Sequence, residues 1–490
     1  GDLSHGMVAK GAGSEALNPG TIQTSGAGAY GMLAENGATA GNVRSDRTDS
    51  TGSIVTTGPG AHGMVASADA QASNSGSIRT SGENAYGMLA TGASEIRNNG
   101  SLGLSLSGLT VERGSIVTEG TGSHGMVAEG DGSIAWNAGT VSTYGIGADG
   151  MHSVNGGVVH NYAQQETSVS IPFVGTFSVS LPVTGVIQTA SDDAGGMSAE
   201  GSGSQAWNPG SITTQGANAY GMVARDGGMA FNFDLTEIAW DLPNSLGGEG
   251  SIPVLPLTGR ITTYGDGSHG MFAQGGSIVA NAGLGLSALA DYLPEDSGIS
   301  SGLLNFISGI GIYSGEIATY GGNAFGMLAD DTSLALNAGT IETHGTGSHG
   351  MAATNLSLAV NAGLGGAILP GTIRTFGDNA NGMNAQGQSL AVNAGGISTW
   401  GAGSHGMQAE DFSMAVNSGS LISLAGSLLD FAPEDWLGDS DLTGLFEAVL
   451  GESGSSMIET FGDGSHGMVA KGTSLALNLD EIVTHGNGAF

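Results

Sequence analysis

The stretch SLALNAGTIETHGTGSHGMAA, Ser333 to Ala353, holds one complete statement of a phrase that the chain repeats throughout its length. From Ser333 to Gly345 it alternates with period two, as strands do, and Gly and Asn punctuate the bends. Working outward from it, three landmarks recur fourteen times in fixed order. The first is a Met preceded by Gly, as at Met7, Met126, Met351 and Met468. The second is an Asn, as at Asn18, Asn137, Asn337 and Asn478. The third is an Ile, once Val, followed two residues later by Thr, as at Ile22 and Thr24.

Met to Asn is 10 or 11 residues in every unit, and Ile to the next Met is 10 in all thirteen cases. Only the Asn-to-Ile interval varies: it is 4 residues in seven units and 12 to 41 in the others. The minimal unit is therefore 24 residues, too short for a core of its own, with a single corner that accepts insertions. These spacings predict an all-β, right-handed parallel β-helix: a three-sided solenoid with about 24 residues per coil and about 14 coils, bearing small helical or hairpin insertions at one corner. The expected domain is one continuous solenoid over 1-490, a slice of a longer chain. Its insertions are expected at 43-53, 99-115, 162-186, 233-260, 282-316, 362-372 and 418-457.

Composition agrees and excludes much else. Gly contributes 91 of 490 residues without a G-X-Y period, while 39 % hydrophobic residues call for a buried core. The formal charge of −34 repels phosphate backbones, so nucleic acid is excluded as a partner. Cysteine is absent, and with it disulfides and thiolate chemistry. No apolar run is long enough for this segment to insert directly into a membrane.

On such a coil, Met and the Ala or Ser three residues before it read as inward, and the intervening Gly as a bend. The residue just before that Gly reads as outward, forming a surface ladder that includes His5, His62, His124, His269, His349, His405 and His466. Where these His alternate with Tyr30, Tyr86 and Tyr220, successive imidazoles lie about two strand spacings apart, too far to share an ion. The Asn column reads as a structural ladder satisfying polar groups at the bend. Thr167 to Gly185 reads as a hairpin about Gly175, and 285–311 and 425–451 as related helical hairpins. Their Tyr292, Phe306, Phe431, Trp436 and Phe446 are candidate partner contacts, and Asp435, Asp439 and Asp441 are candidate calcium ligands. No catalytic, cofactor-binding or metal residues are assigned, and no cofactor is expected apart from calcium as a mediator of stacking or adhesion. The adjacent acids Asp192/Asp193 and Asp330/Asp331 would point to opposite faces of a strand, which does not suit paired carboxylate catalysis.

The phrase NAGTIETHGTGSHGMAA, Asn337 to Ala353, resembles the degenerate repeats of autotransporter passengers, the surface-exported β-helices of Gram-negative bacteria. The resemblance spans the repeats but not the insertions. It implies an extracellular rod on the bacterial cell surface, commonly an adhesin. Its partner would be a cell-surface or extracellular matrix receptor, or other copies of itself. The alternatives are a structural subunit of an extracellular filament or sheath, and a polysaccharide-acting β-helix enzyme.

Overall fold

A computed structural model describes residues 1–490 except 46–49, 106–107, 172–174, 241–249, 258, 282–311, 363–370 and 420–455. The candidate contacts Tyr292, Phe306, Phe431, Trp436 and Phe446, and the acids Asp435, Asp439 and Asp441, lie outside the described residues, as do both expected helical hairpins. The described residues contain strands and turns but no α-helix. They form two compact units, 1–219 and 220–490.

Each unit is a right-handed, three-sided parallel β-helix whose three sheets each hold seven strands in chain order. The coil around the opening phrase shows the plan: Leu334–Asn337, Thr340–Thr343 and Met351–Thr354 are its three sides. We call these the Asn, Ile and Met strands. Each pairs in register with its counterpart one coil on, as Met351 with Met383, Asn337 with Asn361 and Ile341 with Ile373. Identical residue types therefore stack into columns along each unit.

The core consists of these columns. Met126, Met351 and Ile341 are fully buried, whereas Met7 and Met468, in terminal coils, are only half-buried. The Asn column forms a hydrogen-bonded chain inside the wall: Asn18 donates to Asn42 at 2.9 Å, Asn137 to Asn161 at 2.9 Å and Asn337 to Asn361 at 2.8 Å. In the coils without an insertion the Oδ1 also accepts from the backbone N–H two residues on, as Asn137 does from Gly139 and Asn337 from Gly339. Asn417 extends the ladder to the exposed Asn478 at 2.7 Å. The Thr of the Ile strands is buried except in the terminal coils, and in most coils its hydroxyl crosses the next corner to a carbonyl five residues on, as from Thr343 to Ser348 at 2.6 Å, whereas those of Thr56, Thr118 and Thr143 make no hydrogen bond.

The Gly of Gly-Met stands at the expected bend. A Cβ on Gly350 would also overlap Ile373 Cγ2 and stand 2.6 Å from the Gly382 carbonyl oxygen, so close approach between coils requires glycine there. The hairpin is Tyr162–Ile171 against Gly175–Thr184, with Ile171 opposite Gly175. Gly175 thus opens the second strand instead of forming the turn. Shorter antiparallel pairs leave the same Asn-to-Ile corner at Arg44–Ser45 with Ser50–Thr51 and Gly100–Ser105 with Gly108–Arg113.

Replacing Gly350 with Ala should destabilise the fold by about 1–3 kcal/mol, the usual cost of overpacking. A Cβ on Gly396 meets nothing within 4 Å, so Gly396→Ala should leave the denaturation midpoint almost unchanged. Equal midpoints for the two variants would refute the close-approach account.

Candidate functional site

The three faces of the wall differ in what they leave open. On the Met face of the first unit, the outward Leu33, Val65, Leu89 and Val127 are buried, with Tyr30 and Tyr86 packed over them. Those tyrosines belong to the column expected as a surface ladder, which is instead half-buried and stacked ring on ring. The sequence His5, Tyr30, His62, Tyr86, His124 runs at centroid separations of 4.7, 5.1, 4.6 and 5.3 Å. Outward apolar residues one position after Met need a cover, and the rings supply it. The Asn face of the second unit is closed as well: the outward Leu334, Leu336, Leu358, Val360, Leu390 and Val392 are all buried.

The Ile face of the second unit is the open one. The residue after each Ile-x-Thr is aromatic in every coil: Tyr264, Tyr320, His344, Phe376, Trp400, Phe461 and His485. These seven rings form one continuous stack, with centroids 4.6 to 5.3 Å apart and planes within 13° of parallel. Tyr264 is 52 % and Trp400 38 % exposed. Ring faces are taken up by neighbours, so the rail offers solvent its ring edges. Two to four residues earlier on the same strands, a shallow groove of about 260 Å³ lies among Thr262, Ala318 and Thr340, between the Arg260–Glu316 and Glu342–Arg374 ion pairs at 2.7 and 3.0 Å. The equivalent column in the first unit is Ser25, Thr57, Ser81, Glu119, Tyr144, Ala190 and Gln215. The signal was available in the sequence at a fixed offset from Thr, outside the insertions where aromatic contacts were sought.

A second cluster occupies the first unit. Asp149 stands where most other coils carry His or Tyr, and His152 follows Met151. The Asp149 carboxylate accepts from the Gly195 N–H at 2.6 Å, the Ser198 hydroxyl at 2.7 Å and His152 Nδ1 at 3.1 Å, and lies 3.7 Å from His124 Nδ1. Burial pushes its carboxyl upward, but the His152 hydrogen bond, the charges of both histidines and the Ser198 hydroxyl outweigh it and hold it at about 2. Burial lowers His124 to about 4 against the upward pull of Asp149, and His152 adds to the lowering.

His124, Asp149 and His152 place their ligand atoms within 4.8 Å of one another, the only such group among the described residues. Imidazoles are not kept two spacings apart here, because His152 fills the gap beside His124. The rings nonetheless stack at 4.6 Å with planes 6° apart. An imidazole donates its lone pair in the ring plane, and near-parallel planes do not meet at a common ion. The trio is also not a nucleophilic relay. Ser198 and Asp149 both approach His152 Nδ1, and Ser198 donates to Asp149, whereas a relay uses opposite ring nitrogens. What remains is a saturated hydrogen-bond knot joining coils. The adjacent acids noted above are engaged in the same way: Asp330 accepts from Thr354 and Asn355 at 2.8 and 2.7 Å, and Asp192 from the Ala217 N–H at 2.8 Å.

Residues 45–165, 110–234, 254–365 and 300–428 match the BigA third pectate lyase-like domain family. The chain belongs to this family. Its coils are autotransporter passenger-like β-helix repeats, and such domains suggest a secreted or cell-surface protein. No curated protein matches it. Among solved structures, it is similar to a chain in the cryo-EM structure of the Vag8-C1 inhibitor complex at 14 % identity, covering 100 % of this chain and 97 % of that one, with a TM-score of 0.39.

Asp149→Asn should cost about 1–3 kcal/mol by leaving buried donors with a weaker acceptor, measured by chemical denaturation. Zinc titrated calorimetrically into the native chain should give no saturable heat that His124→Ala removes. Such a heat would mean that the rings rotate to make a metal site.

Proposed function

We propose that this protein is a non-catalytic extracellular protein, displayed on the bacterial surface as an adhesin, and that the aromatic rail of the second unit is its contact with a cell-surface or matrix receptor. The observation that carries this reading is the rail itself. Seven stacked rings are left at or near the surface along the Ile face of that unit among the described residues, although aromatic residues are ordinarily kept inside. Interfaces draw on aromatic residues and Arg, and the rail has Arg260 and Arg374 beside it. The acidic groups described above are occupied in joining coils, which supports a binding surface over a catalytic one. Calcium would act between negative surfaces and not as a resident cofactor.

The rail could equally receive a second copy, which is the filament reading. The charge of −34 opposes close approach of identical chains at low salt, and this favours a different partner.

The paired substitution Phe376→Ser and Trp400→Ser tests the proposal. Attachment of the purified chain to epithelial cells or to immobilised matrix protein should fall at least tenfold, with circular dichroism and sedimentation unchanged. Parent-level attachment by the folded variant would remove the rail as the contact. Loss of self-association in place of attachment would favour the filament, and loss of attachment by the parent on chelating calcium would assign the ion a bridging role.

A further inference from the structure

The half-buried ring column performs a second task that its stacking alone does not require. Tyr30 donates its backbone N–H to His5 Nδ1 at 3.1 Å, Tyr86 to His62 at 2.9 Å and Asp149 to His124 at 2.9 Å. In the second unit Phe325 donates to His269 at 3.0 Å, Asn381 to His349 at 2.9 Å, and His466 and Phe490 to His405 and His466 at 3.0 Å each. In every case the donor is the residue at the same position one coil on. Where the column carries Asn381, its Oδ1 takes over and accepts the His405 N–H at 2.9 Å. Where the column holds His or Asn it therefore supplies an acceptor to the following coil, and an imidazole does so only when neutral, with its proton on Nε2.

We propose that the histidine column is an acid-sensitive release built into the wall: protonation at Nδ1 and closure of the next coil onto that nitrogen exclude each other, so acidification loosens the coils. An imidazolium carries N–H on both nitrogens and would direct one at the backbone N–H it had accepted. The surroundings do not supply a general remedy. His62 lies between Tyr30 and Tyr86, and His269 between Tyr220 and Phe325 with Phe272 at its edge and Arg225 over Tyr220 and Phe272. His405 faces His466 and Lys471, whose charges add to the lowering. Asp149 beside His124 and Glu410 near His349 favour the charged ring, but in both cases burial outweighs them.

The sign follows from comparing the folded and unfolded chains. Burial lowers His62, His124, His269, His349 and His405 from 6.5 to about 4. Above about pH 6.5 neither state holds the proton, and the column is fully intact. Between about 6.5 and 4 the unfolded chain takes up protons that the folded chain binds roughly 300-fold more weakly, so folding weakens as the pH falls through this window.

The test is a set of denaturation midpoints for the full chain from pH 7.5 to 4.5, set beside those of the double variant His62→Asn and His269→Asn. Asn preserves an acceptor, as Asn381 does, without titrating near neutrality. The parent should lose stability steadily below pH 6.5, and the variant should lose it less steeply. In the parent, the backbone amides of Tyr86 and Phe325 should lose hydrogen-exchange protection on acidification before those of Met88 and Met327, and this readout stands even if the variant fails to fold. Equal slopes in parent and variant, or imidazole resonances that titrate near 6.5 with both amides still protected, would overturn the proposal.

Discussion

One asparagine per coil fixes the geometry on which everything else depends. Its Nδ2 donates to the Asn of the next coil and its Oδ1 can hold a backbone N–H of its own bend, so a single side chain sets the turn and the alignment between neighbours. A parallel stack without such a lock could slip by two residues and still keep alternate side chains inward. With Asn337 tied to Asn361, Ile341 must lie under Ile373 and Met351 under Met383. Buried amides are costly when unpaired, so a coil shifted in register would strand polar groups inside the wall.

Fixed register turns sequence periodicity into surface chemistry. A residue type favoured at one position becomes a continuous column in space, whether or not burial requires it. The Met column fills the interior, the His and Tyr column covers the outward apolar residues of the Met face, and the seven rings after Thr become a rail along the second unit. The ring stack at Phe376 and Trp400 is held by the same alignment as the Asn ladder and needs no loop to position it.

How much of this was legible divides along a physical line. The coil length, the three sides, the inward Met and Asn and the insertion corner follow from spacing alone, because a solenoid repeats them without exception. The outward direction of His5 and His124 was legible but their half-burial was not, because alternation reports which way a side chain leaves the strand, not what packs against it. The apolar Leu33, Val65 and Val127 one position after Met were the missing clue, since such residues need covering. The acceptor role of Nδ1 was beyond reach, for it depends on where the next coil places its N–H. The knot at Asp149 was hidden differently: His152 and Ser198 sit off the repeat's landmarks and meet only because their coils are stacked.

The contrast between the two columns of rings bears on function. In the inner column each ring has work on two sides, stacking on one neighbour and, where it is His, accepting from the backbone of the next. Its chemistry is consumed within the wall. The rings of the outer rail have neighbours above and below but no apolar layer to cover, and Tyr264 and Tyr320 remain about half exposed. The fold accepts non-aromatic residues in this column, as Ser25, Thr57, Ser81, Glu119, Ala190 and Gln215 of the first unit demonstrate at the same position. Seven aromatic residues in succession where Ser, Thr and Gln suffice are therefore a property of this surface, and it is on that surface that the proposed contact rests.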